Sequence, residues 1–332
     1  GERARVTARL FEARTGGHIW SDHYDVTAAE LGTIQDDIVE RVVGAIEPAL
    51  LRVESGRGWR GRPGNLSAWD LVRRGMWYFH RVTRENHHLA RDLFRRAVEI
   101  DELLPEAHIW LARVCGGIAL WRWCDDPAAV AHEGQAAVLR AIHLDEQNPY
   151  AHYALAISSC PANELEQAIR AAERAIELSP SFGLGHLVLG MGRLYAGQAK
   201  AAEMALRRGL LLNHHDPHNF VWFDLLALAC LFGGDTEAAI AAATRALTIR
   251  PAWRLTLEIM ALCHAAANQY IDACRFAAAM RETTEHPTDI LSAMRQRNPA
   301  WHAAMEEWLR QASADPRRDH PTTTAPEVPR TR

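Results

Sequence analysis

Between Ala151 and Met280 the same pattern of small residues returns at a fixed interval. Ala156, Gly190, Ala227 and Ala261 form one series, Ala168, Ala202, Ala239 and Ala273 a second, and Ala175, Gly209, Ala246 and Met280 a third. The intervals are 34, 37 and 34 residues in every series, so one insertion of three residues near Asn213–His218 explains the irregularity. Each period holds two apolar-periodic segments, a turn between them and a closing proline at Pro180, Pro217, Pro251 or Pro287. Such a chain folds as stacked helix pairs, because one pair cannot bury its apolar face alone. Small residues at fixed positions let the paired helices approach closely.

Leu155, Ala156, Ala168, Ala172, Ala175 and Pro180 stand where the tetratricopeptide repeat family places its signature residues, and the match recurs at Leu226, Ala227, Ala239, Ala243, Ala246 and Pro251. The stretch resembles a tetratricopeptide array. Two less regular copies precede it. Trp69, Leu71, Gly75, Trp77 and Tyr78 open the first, and Ala90, Phe94 and Ala97 close it, with a longer interhelix turn expected around Arg84–His87. The second runs from Glu106 to Asp145, uses Trp110, Leu111, Ala112, Ala137 and Ala141, and has a long turn near Trp121–Pro127.

The expected fold is mostly α: a tetratricopeptide-repeat superhelix, an α-solenoid, over residues 66–287, with capping helices over 288–312 and a disordered polar tail over 313–332. Residues 1–53 read differently. Val6, Ala8 and Leu10 alternate with Thr7, Arg9 and Phe11, Arg14–Gly17 supplies a turn, and His18–Tyr24 offers a second strand. From Thr27 the period becomes helical, with Leu31, Ile34, Ile38, Val42, Val43 and Ile46 on one face. A hairpin and one helix cannot make a core, so further strands are expected upstream of Gly1.

Arg5–Leu10, Thr15-Gly16, His18-Ile19-Trp20, Tyr24-Asp25 and Gln35-Asp36 are similar to the end of the TolB-like domain. The resemblance makes residues 1–53 a partial α/β TolB-like segment. That domain accompanies tetratricopeptide repeats in bacterial class III adenylate/guanylate cyclase-type proteins and in some winged-helix transcriptional regulators. Between the two regions, residues 54–65 carry Gly56, Gly58, Gly61 and Gly64 among Arg57, Arg60 and Arg62, a linker composition. The run is short and has no repeated basic motif, so a solvated linker fits it better than a phosphate-binding arm.

The chain is 48% hydrophobic and 23% charged with a formal net charge of −4, a globular composition that gives no global reason to expect nucleic acid. Its longest apolar stretch, Phe220–Phe232, is interrupted by Asp224 and too short to span a bilayer. The start has no signal-peptide pattern, and six cysteines without CxxC spacing read as buried thiols in a reducing, cytoplasmic setting.

Catalytic patterns are sparse. His214, His215, Asp216 and His218 form the most metal-like cluster, but no second ligand pair accompanies them, and a polar inter-repeat loop explains them better. The glycines at Gly183, Gly185, Gly190, Gly192 and Gly197 lack GxGxxG spacing. His108, His143, His152 and His186 lie in helical patterns with no nucleophile to activate, and Asp36-Asp37 and Asp125-Asp126 stand where acids favour helix starts. No cofactor, metal or catalytic residue is assigned.

A repeat array can present a groove. Tetratricopeptide geometry turns the first helix of each pair inward, which would expose Tyr150, Tyr153 and Ile157, then Leu184, Leu187 and Met191, then Val221, Asp224 and Leu228, then Leu255, Glu258 and Leu262. This surface would take a protein or peptide segment by apolar anchors, with Asp224 and Glu258 selecting a basic group. The resemblance implies a regulatory region attached to an upstream effector domain, a class III cyclase first and a winged-helix regulator second. A free-standing scaffold is a further alternative. A ligand-binding enzyme or small-molecule sensor would rest on Trp110, Trp121 and Trp123 as stacking surfaces, and core aromatics of imperfect repeats explain these residues better.

Overall fold

The computed structural model describes residues 3–11, 16–27, 67–160, 162, 164–213, 216–283, 291 and 299–313. Two antiparallel strands, β1 (Arg3–Phe11) and β2 (His18–Thr27), pair with Val6 opposite Tyr24 and Leu10 opposite Trp20. The turn between them uses Gly16 at φ 67°, a left-handed conformation that glycine adopts without strain. The helix expected from Thr27, including Asp36-Asp37, lies outside the described residues, as does the linker over 54–65.

Thirteen helices follow among the described residues. They form six consecutive pairs: α1 (Ala68–Phe79) with α2 (Arg84–Ile100), α3 (Pro105–Leu120) with α4 (Pro127–Leu144), α5 (Pro149–Ser159) with α6 (Leu165–Leu178), α7 (Gly183–Tyr195) with α8 (Ala199–Leu212), α9 (Asn219–Phe232) with α10 (Thr236–Ile249), and α11 (Arg254–Ala266) with α12 (Tyr270–Glu282). The last helix, α13 (Pro299–Ser313), packs on α11 and α12 and stacks Trp301 on Phe232 of α9 at 4.0 Å between centroids. The architecture is a tetratricopeptide-type α-solenoid.

The small-residue series marks the seam inside each pair. A Cβ on Gly190 of α7 would lie 2.5 Å from Leu206 of α8, and one on Gly209 of α8 would lie 2.5 Å from Leu187 of α7. Each leucine thus seats over the other helix's glycine, and the two backbones close to a distance that no larger residue permits. Ala156, Ala168, Ala175, Ala202, Ala227, Ala239 and Ala246 are all fully buried at equivalent places.

Loop chemistry sets the helix starts. Ser67 caps α1 in a reciprocal box with Asp70, Thr83 caps α2, Asp126 caps α4 and Asp235 caps α10. The expected turn at Arg84–His87 is therefore helix: Thr83 accepts from the Asn86 amide, α2 begins at Arg84, and the turn is confined to His80–Thr83. Three of the scattered histidines share one structural task. His108, His152 and His186 each donate from Nε2 to the carbonyl six residues earlier, Glu102, Glu146 and Pro180, at 2.9, 2.8 and 3.0 Å, and so staple the loop that joins successive pairs.

Candidate functional site

The solenoid curves back on itself. The turn after α1 meets the loop before α11, where Arg250 Nη1 donates to the Val82 carbonyl at 2.6 Å across a separation of 168 residues. The loop before α9 joins the same contact: the His218 ring stacks on Phe79 at 4.8 Å and on Trp121 at 6.4 Å. Trp253 closes it from α11's N-terminus, edge-on to Trp121 at 5.9 Å and to Trp123 at 6.5 Å. The three-residue insertion near Asn213–His218 and the long turn at Trp121–Pro127, the two departures from the repeat pattern visible in the sequence, thus touch each other.

Under this closure lies a cavity of about 50 Å³. Its walls come from the first helices of successive pairs: Phe79 from α1, Arg113, Gly116 and Trp121 at α3, Tyr153 and Ile157 from α5, Leu184 and Met191 from α7, and Val221 and Trp222 from α9. Asp216 and His218 complete it from the inserted loop. Of the twelve groove residues expected from the sequence, Tyr153, Ile157, Leu184, Met191 and Val221 are brought together here.

The others are placed elsewhere. Leu187 faces Gly209 across the α7–α8 seam. Leu228, Leu255 and Leu262 are buried in the core, and Asp224 is fully buried, accepting from Thr256 Oγ1 at 3.0 Å. Burial pushes the Asp224 carboxyl well above the usual range against that hydrogen bond, and a side chain so enclosed does not face a partner as a selector. Tyr150 packs edge-on to Phe182 at 4.6 Å, and Glu258 is half-buried.

Arg113 is the most unusual group in the site. Only 7% exposed, it forms no ion pair among the described residues and lies instead against π faces: Trp110 at 4.1 Å, Tyr153 at 5.1 Å and Phe79 at 5.2 Å. Its Nε has no hydrogen-bond partner among the described residues, and neither do Nε1 of Trp121, Nε1 of Trp222 and Nε2 of His218. Asp216 is fully engaged, accepting from the His218 amide at 2.8 Å, His218 Nδ1 at 3.1 Å and Asn213 Nδ2 at 3.0 Å. Burial works against its ionisation, but the hydrogen bond and charge of His218 hold its carboxyl far below the usual range. His214 and His215 lie outside the described residues, and no group of three metal-ligating side chains occurs among the described ones.

Behind the cavity sits His87, fully buried between Phe79, Trp121 and Trp123 at 5.0 to 5.1 Å, with neither ring nitrogen bonded. Burial, reinforced by His218, pushes its imidazole well below the ordinary value. Sequence reasoning missed both His87 and Arg113; their signal was a lone charge and a lone imidazole at core positions of helical patterns.

Comparison with known proteins agrees on the fold. The chain is similar to the APC/C hetero-tetramer Cut9–Hcn1, with a TM-score of 0.56 at 15% identity over 79% of this chain and 45% of that one. It is likewise similar to human IFIT1, solved as a dimer with m7Gppp-AAAA, with a TM-score of 0.58 at 14% identity over 80% of this chain and 61% of that one. At these identities the likeness concerns fold alone. In sequence, 166 residues are 26% identical to "Putative adenylate cyclase 3" of Rhizobium meliloti (strain 1021). That alignment takes in 50% of this chain and 28% of the relative, so the chain matches well under two thirds of that protein's length. No protein-family model matches the chain.

Proposed function

We infer that this chain is a non-catalytic interaction and regulatory region of a class III adenylate/guanylate cyclase-type protein in signal transduction. The observation that carries the reading is the pairing of a tetratricopeptide-type solenoid with sequence similarity to an adenylate cyclase-type relative. The TolB-like likeness of residues 1–53 supports the same context. In this reading the upstream effector performs the chemistry and the repeats sense a protein partner, altering the effector's dimerisation.

The partner is an amphipathic segment with apolar anchors and a basic group, received along the first helices of the pairs. Ile157, Tyr150 and Glu258 are the half-buried members of the groove series and offer first contact. No helix among the described residues is long and apolar enough to cross a membrane.

The test is to join this chain to its native upstream region and measure cyclic-nucleotide formation. The chain alone is expected to leave ATP unchanged, and Ile157→Glu with Glu258→Lys is expected to alter the parent's rate without loss of helix content. Cyclase activity in the chain alone, or a parent whose rate and oligomeric state ignore removal of the repeats, would overturn the reading.

A further inference from the structure

Apart from the cavity under the closure, a second pocket of about 350 Å³ opens at the loop between the second and third pairs. Trp69 reaches it from the start of α1, Glu106, Ile109 and Trp110 from the first turns of α3, and Asp145 and Tyr150 from the two ends of the loop joining α4 to α5. Trp69, Glu106, Asp145 and Tyr150 are all half-buried, so they line an opening rather than a sealed core. Two carboxylates stand in this wall and no cationic side chain does. Neither Glu106 nor Asp145 forms an ion pair among the described residues, and Asp145 Oδ1 accepts from the Gln147 amide at 3.2 Å. Arg113 lies against the Trp110 and Tyr150 rings at 4.1 and 5.9 Å, but it lines the closure cavity and not this pocket.

Helix geometry accounts for each acid singly. Glu106 stands in the first turn of α3, where an anion is favoured, and Asp145 closes α4 through its turn with Gln147. Neither role requires the two to share an opening with aromatic walls. The Ser67 and Asn148 side chains already cap α1 and α5 beside it, which leaves the two carboxylates as the charge the pocket presents. Such a wall suits a cation. A bare metal ion is a poor match, because no group of three metal-ligating side chains occurs among the described residues. The volume lies instead within the roughly 300–1,000 Å³ of pockets that hold organic ligands. Indole and phenol walls favour a guanidinium, which is planar, stacks on rings and pairs its N–H groups with carboxylates, over an ammonium, a strongly hydrated point charge.

We propose that this pocket receives the guanidinium of an arginine side chain carried by the partner segment, with Glu106 and Asp145 as its counter-charges and Trp69 and Tyr150 as the surfaces beside it. The pocket takes the part that Asp224, enclosed against Thr256, does not play. Tyr150 and Ile157 stand two turns apart on one face of α5, about 10 Å along the helix, so a segment anchored by its arginine at Tyr150 runs its apolar residues toward Ile157. That the arginine belongs to a protein partner rests on the function proposed above; the chemistry of the pocket does not.

The experiment is titration of the whole chain with three probes at matched ionic strength, read by calorimetry and tryptophan fluorescence. The probes are the capped tripeptide acetyl-Gly-Arg-Gly-amide, its citrulline counterpart, which keeps the shape without the charge, and free arginine. Saturable binding is expected for the arginine tripeptide, at least about tenfold weaker for the citrulline tripeptide. Free arginine should also bind more weakly, since its own carboxylate meets Glu106 and Asp145. Glu106→Gln combined with Asp145→Asn should weaken the arginine tripeptide at least about tenfold. Both changes keep the side-chain shape and an acceptor for the Gln147 amide, so native helix content by circular dichroism is expected; the citrulline comparison needs no variant and decides the matter by itself if that one fails to fold. An arginine tripeptide that does not saturate, that binds no better than its citrulline counterpart, or that binds a folded double variant unchanged overturns the proposal. Free arginine binding more tightly than the tripeptide overturns the assignment to a protein partner. Should the tripeptide bind as expected while removal of the repeats leaves the parent's rate and oligomeric state unchanged, the pocket stands and the regulatory reading falls.

Discussion

The regular pairs from α7 to α12 and the two pairs at the front of the array solve the same turn in different ways. Between paired helices, the regular copies place Gly197, Gly234 and Asn268 at φ 79°, 85° and 60°, residue types that tolerate the left-handed region. The front pairs place Val82 at 47° and Arg122 at 52°, and for a β-branched valine that conformation is strained. The regular half buries alanines at its seams, whereas the front half buries Arg113 and His87 among aromatic rings; buried polar atoms without a partner occur in both, Asp224 Oδ1 and Trp253 Nε1 among them in the regular half. Val82, in the strained turn of the front half, is also the residue whose carbonyl takes the closure bond from Arg250 of the regular half.

Four substitutions would break or sharpen this contrast. The largest effect belongs to the regular half: Gly209→Val would put a Cβ 2.5 Å from Leu187 Cγ and 2.8 Å from its backbone nitrogen, and is expected to cost about 3 kcal/mol in urea denaturation. His87→Leu in the front half should do the reverse, raising stability by about 1–2 kcal/mol because two unbonded nitrogens leave the core.

The two halves should also answer acid with opposite sign. His87 has its folded value pushed below the ordinary 6.5, so the unfolded chain binds the proton more readily and stability is lost as pH falls below about that point. The neighbouring His218, His80 and His88 deepen this effect, and the Thr83 backbone opposes it. Asp224 has its value raised above 3.8, so the folded chain binds the proton more readily and this group's contribution is lost as pH rises from there. Stability measured from pH 4 to 8 should lose its acid limb in His87→Leu, while Asp224→Asn should remove the opposing slope and gain stability at neutral pH. The smallest effect is Arg122→Gly, which relieves an exposed left-handed residue and should add about 0.5–1 kcal/mol to thermal stability.

Much of the array was legible because its information is local. The spacing of Ala156, Gly190, Ala227 and Ala261 encodes a seam within each pair, and that seam is a property of neighbouring segments. The closure was not legible as a contact, since it joins Val82 to Arg250 through the accumulated rotation of the pairs between them. Its components still showed as departures: the insertion before His218 and the turn after Leu120. The groove series failed where register mattered. Leu187 and Asp224 occupy equivalent positions 37 residues apart and both point into packed structure, one toward Gly209 and one toward Thr256. Polar Arg84–His87 read as loop, yet Thr83 caps a helix there and His87 is buried.

The bond from Arg250 to the Val82 carbonyl changes how this molecule comes apart. An open solenoid behaves as a line of nearest-neighbour couplings and unravels from its ends, with the first pair exchanging its amides soonest. Tying the first turn to the fifth pair converts the line into a loop, so α1 and α2 can separate only when the middle of the array yields as well. The amides of α1 are then protected to nearly the same degree as those of α9, while α13, which has no part in the loop, is expected to exchange its amides sooner.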